Sequence, residues 1–77
     1  MAERSAAADL VEFIAKAIVS DADAVKVHEP EPQLLELETA AEDRGRVIGR
    51  QGRIAKAMRV VVAASRDGAD MRLEIVD

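Results

Sequence analysis

The chain has 77 residues, no Cys, Trp or Tyr, one Phe (Phe13) and a formal net charge of -4. That length suits one domain spanning 1–77 around one core, and the missing cysteines exclude disulfides, thiolate metal sites and Cys nucleophiles. The missing aromatics exclude modules that stack nucleic-acid bases on surface rings, and Phe13 itself reads as core.

The charge is unevenly spread. Residues 1–43 carry eleven acids against three bases, whereas residues 44–66 carry seven bases (Arg44, Arg46, Arg50, Arg53, Lys56, Arg59 and Arg66) and no acid. Such a chain is two-faced, with one local basic strip rather than a basic surface all round. No run approaches about 18 apolar residues and no signal-peptide apolar region is seen, so a soluble cytoplasmic protein, away from membranes, is expected.

Ser5 is a good N-cap for a helix from about Ala6 to Val19. Its apolar stripe is Ala6, Leu10, Phe13, Ile14, Ala17 and Ile18. Val25 and Val27 alternate with Lys26 and His28, a short half-buried strand that Glu29-Pro30-Glu31-Pro32 should break. Leu35, Leu37 and Thr39 alternate with Glu36 and Glu38, a second strand antiparallel to the first. Asp43 can cap a short helix over Arg44 to Ile48, ended by Gly49. A longer helix starts near Gly52 and reaches about Arg66, with Ile54, Met58, Val61, Val62 and Ser65 as its stripe. After the Asp67-Gly68 turn, Met71, Leu73 and Ile75 alternate with Arg72 and Glu74 as a third strand.

The order α-β-β-α-α-β predicts an α+β fold, a three-stranded sheet with three helices on one face. The other face shows Lys26, His28, Glu36, Glu38, Arg72 and Glu74 to water.

The candidate site is Gly49-Arg50-Gln51-Gly52, between a helix end and a helix start. A G-x-x-G spacing alone is common. Here it is flanked by Val47-Ile48, by Ile54, and by the cations Arg46, Arg50, Arg53 and Lys56. Glycine lets the backbone turn sharply and approach a sugar-phosphate chain closely. The helix opened by Gly52 offers N–H groups and a positive dipole end to an anion, and Arg50, Arg53 and Lys56 can neutralise phosphates there.

The segment Gly45 to Ile54, Gly-Arg-Val-Ile-Gly-Arg-Gln-Gly-Arg-Ile, resembles the core motif of KH domains. From Ser5 to Val76 the chain resembles the small bacterial KH-domain RNA-binding proteins of the KhpA type, and its element order looks like the type II KH topology. The resemblance implies a clamp on a single RNA strand of about four nucleotides, in an RNA chaperone or post-transcriptional regulator. It also implies self-association or pairing with a second KH protein. Gly49, Arg50, Gln51 and Gly52 match the family's RNA-gripping loop position by position. Many such loops carry Lys where Arg50 stands, and Gln51 brings less charge than a second base. The RNA bases would rest on Ile48 and the exposed edge of the second strand.

Blander readings compete. The loop fits a plain helix-to-helix turn with a Gly C-cap. Arg59 and Arg66 fit a solvated helix face. His28 has no partner at ligand spacing, and the Asp21 and Asp23 pair lacks the Gly and terminal Glu of a calcium loop, so no metal or other cofactor is expected. No nucleophile–base pair stands out, so no catalytic residue is assigned and binding rather than catalysis is expected. Ala57, Val60 and Ala64 fall on one line beside the core stripe, a small-residue contact surface for another chain or a peripheral part of the core. The rival function is a protein-interaction or ribonucleoprotein-subunit module with weak RNA affinity of its own.

Overall fold

A computed structural model describes residues 4–76. The elements are α1 (Ala6–Ile18), β1 (Lys26–Glu31), β2 (Leu34–Glu38), α2 (Arg44–Ile48), α3 (Arg53–Ala64) and β3 (Arg72–Val76), with short 3₁₀ turns at Ala22–Ala24, Ala41–Asp43 and Arg50–Gly52. The order is the expected α-β-β-α-α-β. β2 is the central strand, antiparallel to β1 and parallel to β3. Leu35, Leu37 and Leu73 point into the core, and Lys26, His28, Arg72 and Glu74 are exposed, with Glu36 and Glu38 half-buried.

α1 begins at Ser5, whose hydroxyl accepts the Ala8 N–H at 3.0 Å, as the sequence predicts. Its buried line differs from the expected stripe. Ala7, Ala8, Val11 and Ala15 are buried, whereas Phe13 is 73% exposed. Small side chains let α1 lie close to the molecule beneath it, and the larger Ile14 and Ile18 pack at the margin. α3 repeats the pattern. Ala55, Met58 and Val62 form its buried line, and Ile54 and Val61 stand 38% and 40% exposed. In both helices the apolar arc is wider than the contact, so the bulkiest residues do not mark its centre.

β1 does not stop before Pro30. It continues to Glu31 with its pairing register shifted between His28 and Glu31. Proline is tolerated because β1 is an edge strand and the irregularity releases the ladder bond that Pro30 cannot donate. The chain then reverses at Pro32-Gln33, with Gln33 in the left-handed region (φ 68°).

Asp43 does not cap α2 with its side chain. Its buried carboxylate instead accepts the N–H groups of Ser20 and Asp21 at 3.0 Å each, just past the end of α1. Among the described residues no helix is long and apolar enough to cross a membrane.

Candidate nucleic-acid interface

The loop between α2 and α3 is built by backbone geometry that few residues adopt. The Gly49 N–H closes α2 onto the Gly45 carbonyl at 2.8 Å. Gly49 itself has φ 78° and ψ 171°, a region essentially reserved for glycine. Gln51 (φ 57°, ψ 25°) and Gly52 (φ 74°, ψ 15°) follow in the left-handed region. A non-glycine residue there is uncommon, and Gln51 keeps its side chain exposed at the tip.

The turn uses two of its own amides. The Gly52 N–H donates to the Gly49 carbonyl at 3.1 Å, and the Arg53 N–H donates to the Arg50 carbonyl. Those two N–H groups are therefore engaged within the loop. What an anion meets first is side-chain charge. Arg46, Arg50, Arg53 and Lys56 are all exposed. The Arg53 Nη2 reaches the Gln51 Oε1 at a long 3.4 Å.

α3 starts in an electrostatically unusual way. No side chain caps its N-terminus and its first turn holds no acid, while Arg53 and Lys56 lie at or near it. Helix starts favour negative charge, because the peptide dipoles leave about half a positive charge there. Cations at that end are unfavourable by themselves, and an anion bound between them relieves both effects.

The residues singled out from sequence fall in two places. Arg46, Ile48, Gly49, Arg50, Gln51, Gly52, Arg53 and Lys56 gather around the α2–α3 turn, with Ile48 37% exposed. Ala57, Val60 and Ala64 lie along α3 and are exposed, Val60 by 66%. Ala57 also lines an apolar groove of about 190 Å³ between α1 and α3, with Ile14, Ile18, Ile54, Met58 and Val61.

Two expectations about the surroundings need correction. β2 cannot offer an edge to a ligand, because it is paired on both sides; the open edges belong to β1 and β3. Arg59 is not merely solvated. Its Nε donates to the Leu73 carbonyl of β3 at 3.1 Å, and it lines an open groove of about 350 Å³ with Met71, Arg72, Leu73 and Glu74. Its spacing from Lys56, three positions on, was the one sequence signal for a role. His28 approaches Glu38 at 3.9 Å across the β1–β2 pair. No group of three or more potential metal ligands occurs among the described residues.

A protein-family model described as KhpA/KhpB, KH domain, matches residues 8–75. The RNA-binding protein KhpA of Clostridium perfringens is 47% identical over 73 residues, covering 88% of this chain and 97% of that protein. Its namesake in Leifsonia xyli is 45% identical, covering 83% and 88%. That of Aquifex aeolicus is 40% identical, covering 95% and 99%. No solved structure matches the chain significantly. With the α-β-β-α-α-β order, the glycine-bounded turn and relatives this similar over nearly their whole lengths, the chain belongs to the KhpA/KhpB family of KH domains.

Proposed function

We propose that this chain binds single-stranded RNA, without catalysis, by holding the sugar-phosphate backbone against the Gly49–Gly52 loop. The observation that carries the reading is the uncapped start of α3, where Arg53 and Lys56 stand in place of the usual acids. Arg46 and Arg50 add charge from the α2 side, Gln51 offers hydrogen bonds at the tip, and Ile48 gives an apolar rest for a base. The relatives' name, RNA-binding protein, agrees with this. A one-domain cytoplasmic module acting as an RNA chaperone or post-transcriptional regulator is the matching role.

The test replaces Arg50 and Gln51 together with Asp, leaving both glycines. Both side chains are exposed, so stability should change by less than about 0.5 kcal/mol. At the loop one cation is lost and two anions appear. Affinity for single-stranded RNA should fall at least about tenfold, roughly 1.4 kcal/mol. Arg66→Asp, beyond the far end of α3, is the charge control. A double variant that melts and binds like the parent would make the loop only a turn.

The same reading includes a protein partner, another KH chain seated on α3 through Ala57, Val60 and Ala64. Its support is the concentration of exposed apolar side chains there, Val60, Val61 and Ile54, with Phe13 of α1 next to the groove residue Ile14. A chain of this size gains stability from association.

A further inference from the structure

Ile54 stands between the loop and the helix face to which RNA and a protein partner are assigned above. On one side it backs the turn. Its side chain lies where a Cβ on Gly49 would sit, so the bare Gly49 lets Ile54 close directly onto the loop. On its other side it lines the apolar groove of about 190 Å³ between α1 and α3, with Ile14, Ile18, Met58 and Val61. In the single chain Ile54 is 38% exposed.

The face that carries this groove complements itself. α1 and α3 run in opposite directions. Asp67, just past α3, holds the first N–H groups of α1, while Ile18 at the end of α1 shares the groove with Ile54 at the start of α3. The middles of the two helices are therefore level. There stand Phe13 and Val60, the two most exposed large apolar side chains among the described residues. A two-fold axis laid across both middles sets each helix antiparallel to its own copy. Asp9, which is exposed, then faces the partner's Lys16, and Lys56 faces the partner's Ala64 rather than another cation. One two-fold operation thus matches charge and covers the apolar side chains, as a contact between identical chains requires.

A second copy seated on this face confines Ile54 from the groove side, and RNA on the loop confines it from the Gly49 side. Whichever binds first orders the side chain and the turn it backs, so the other meets a site already in place. Linkage makes the effect equal in both directions. We propose that association of two copies and the grip of the Gly49–Gly52 loop on RNA are coupled through Ile54, each strengthening the other. The coupling rests on both readings above and adds how one regulates the other.

Sedimentation equilibrium with and without saturating five-nucleotide oligouridine tests it. That strand fills one clamp of about four nucleotides and is too short to bridge two. It should lower the dimer dissociation constant of the parent about fivefold or more, the low end of ordinary coupling between sites. Ile54→Ala removes the atoms that touch Gly49, and the RNA should then change its dimer constant by less than about twofold. Ile54→Val keeps the branch at Cβ that lies against Gly49 and should keep the coupling. All three proteins carry the same RNA charge, so their difference isolates the side chain, and thermal melting checks that each is folded. A merely structural Ile54 would lower melting and leave the RNA-dependent ratio unchanged. A parent that dimerises and binds the RNA, yet dimerises no better with it, overturns the coupling while both readings stand. A folded Ile54→Ala that keeps the ratio overturns it as well. A parent that stays monomeric with and without RNA sinks the association reading, and one that binds no oligouridine sinks the RNA reading, each taking the coupling with it.

Discussion

The carboxylate of Asp67 accepts the backbone N–H of Ala7 at 2.9 Å, across 60 positions of sequence. Its other oxygen accepts the Ala6 N–H, also at 2.9 Å. With Ser5 accepting the Ala8 N–H, the N–H groups of Ala6, Ala7 and Ala8, which α1 cannot satisfy by its own backbone, all have side-chain partners. Asp43 does the same beyond its other end, at Ser20 and Asp21. α1 is therefore pinned at both ends by carboxylates from the second half of the chain.

Acid should release those pins. The Ser20 N–H holds the Asp43 carboxyl below its ordinary value of 3.8, and the Ala6 N–H does the same for Asp67, burial opposing in each case. A group whose folded value is depressed stabilises fully above its unfolded value and loses that contribution as pH falls through the folded one. The stabilisation is thus complete at neutral pH and disappears below about pH 4. Asp43→Asn with Asp67→Asn should lower the melting temperature at pH 7, and the gap from the parent should narrow toward pH 2. A gap constant over that range would mean that the two carboxylates titrate as they do unfolded.

The two loop glycines should differ in what they tolerate. At Gly52 a Cβ meets nothing within 4 Å, so Gly52→Ala bears only the left-handed backbone penalty, about 1–2 kcal/mol. At Gly49 a Cβ would overlap the Ile54 side chain and lie 2.8 Å from the Ile54 nitrogen. The backbone there is also in the glycine-only region. Gly49→Ala should therefore cost more than about 2 kcal/mol in urea unfolding. Equal costs would mean that Ile54 moves aside freely.

The element order and the α2–α3 turn could be read from sequence because they rest on local signals, such as Ser5, the alternation around Leu35 and Leu37, and the Gly49 and Gly52 pair. Phe13 was misplaced because α1 is apolar around most of its circumference. Only the tertiary fit shows that the closest approach runs along Ala7, Ala8, Val11 and Ala15. Asp43 looked like a local cap, yet its partners lie more than 20 residues earlier. The Arg59 bond to Leu73 depends on which strand is the open edge, and strand order is not written in any one segment.

RNA binding should respond weakly to salt. Three or four cations near the loop displace few counterions from a single strand, about 0.7 per neutralised phosphate, so log K against log salt should slope at about -2 to -3. The acid-rich first half of the chain gives no second cationic surface to steepen it. Titrations of a nine-nucleotide RNA at several potassium chloride concentrations measure the slope. A value near -8 would require a far broader electrostatic footprint than Arg46, Arg50, Arg53 and Lys56 provide.

Association through α3 has the sharpest single-residue test at Val60. In the isolated chain this side chain is 66% exposed, and Asp and Val have similar helix propensities. Val60→Asp should therefore leave the fold of one chain within about 0.5 kcal/mol of the parent. Covered by another chain, the same carboxylate loses its water without gaining a partner, which is strongly unfavourable. The parent should sediment as a dimer at high concentration, or recover a second KH chain on pull-down, and Val60→Asp should dissociate whichever complex forms. Circular dichroism of the variant separates lost association from lost folding. Arg66→Asp, past the end of α3, should sediment like the parent. A parent that stays monomeric at high concentration and recovers no partner chain would return Ala57, Val60 and Ala64 to an ordinary helix surface, as would a folded Val60→Asp that associates as the parent does.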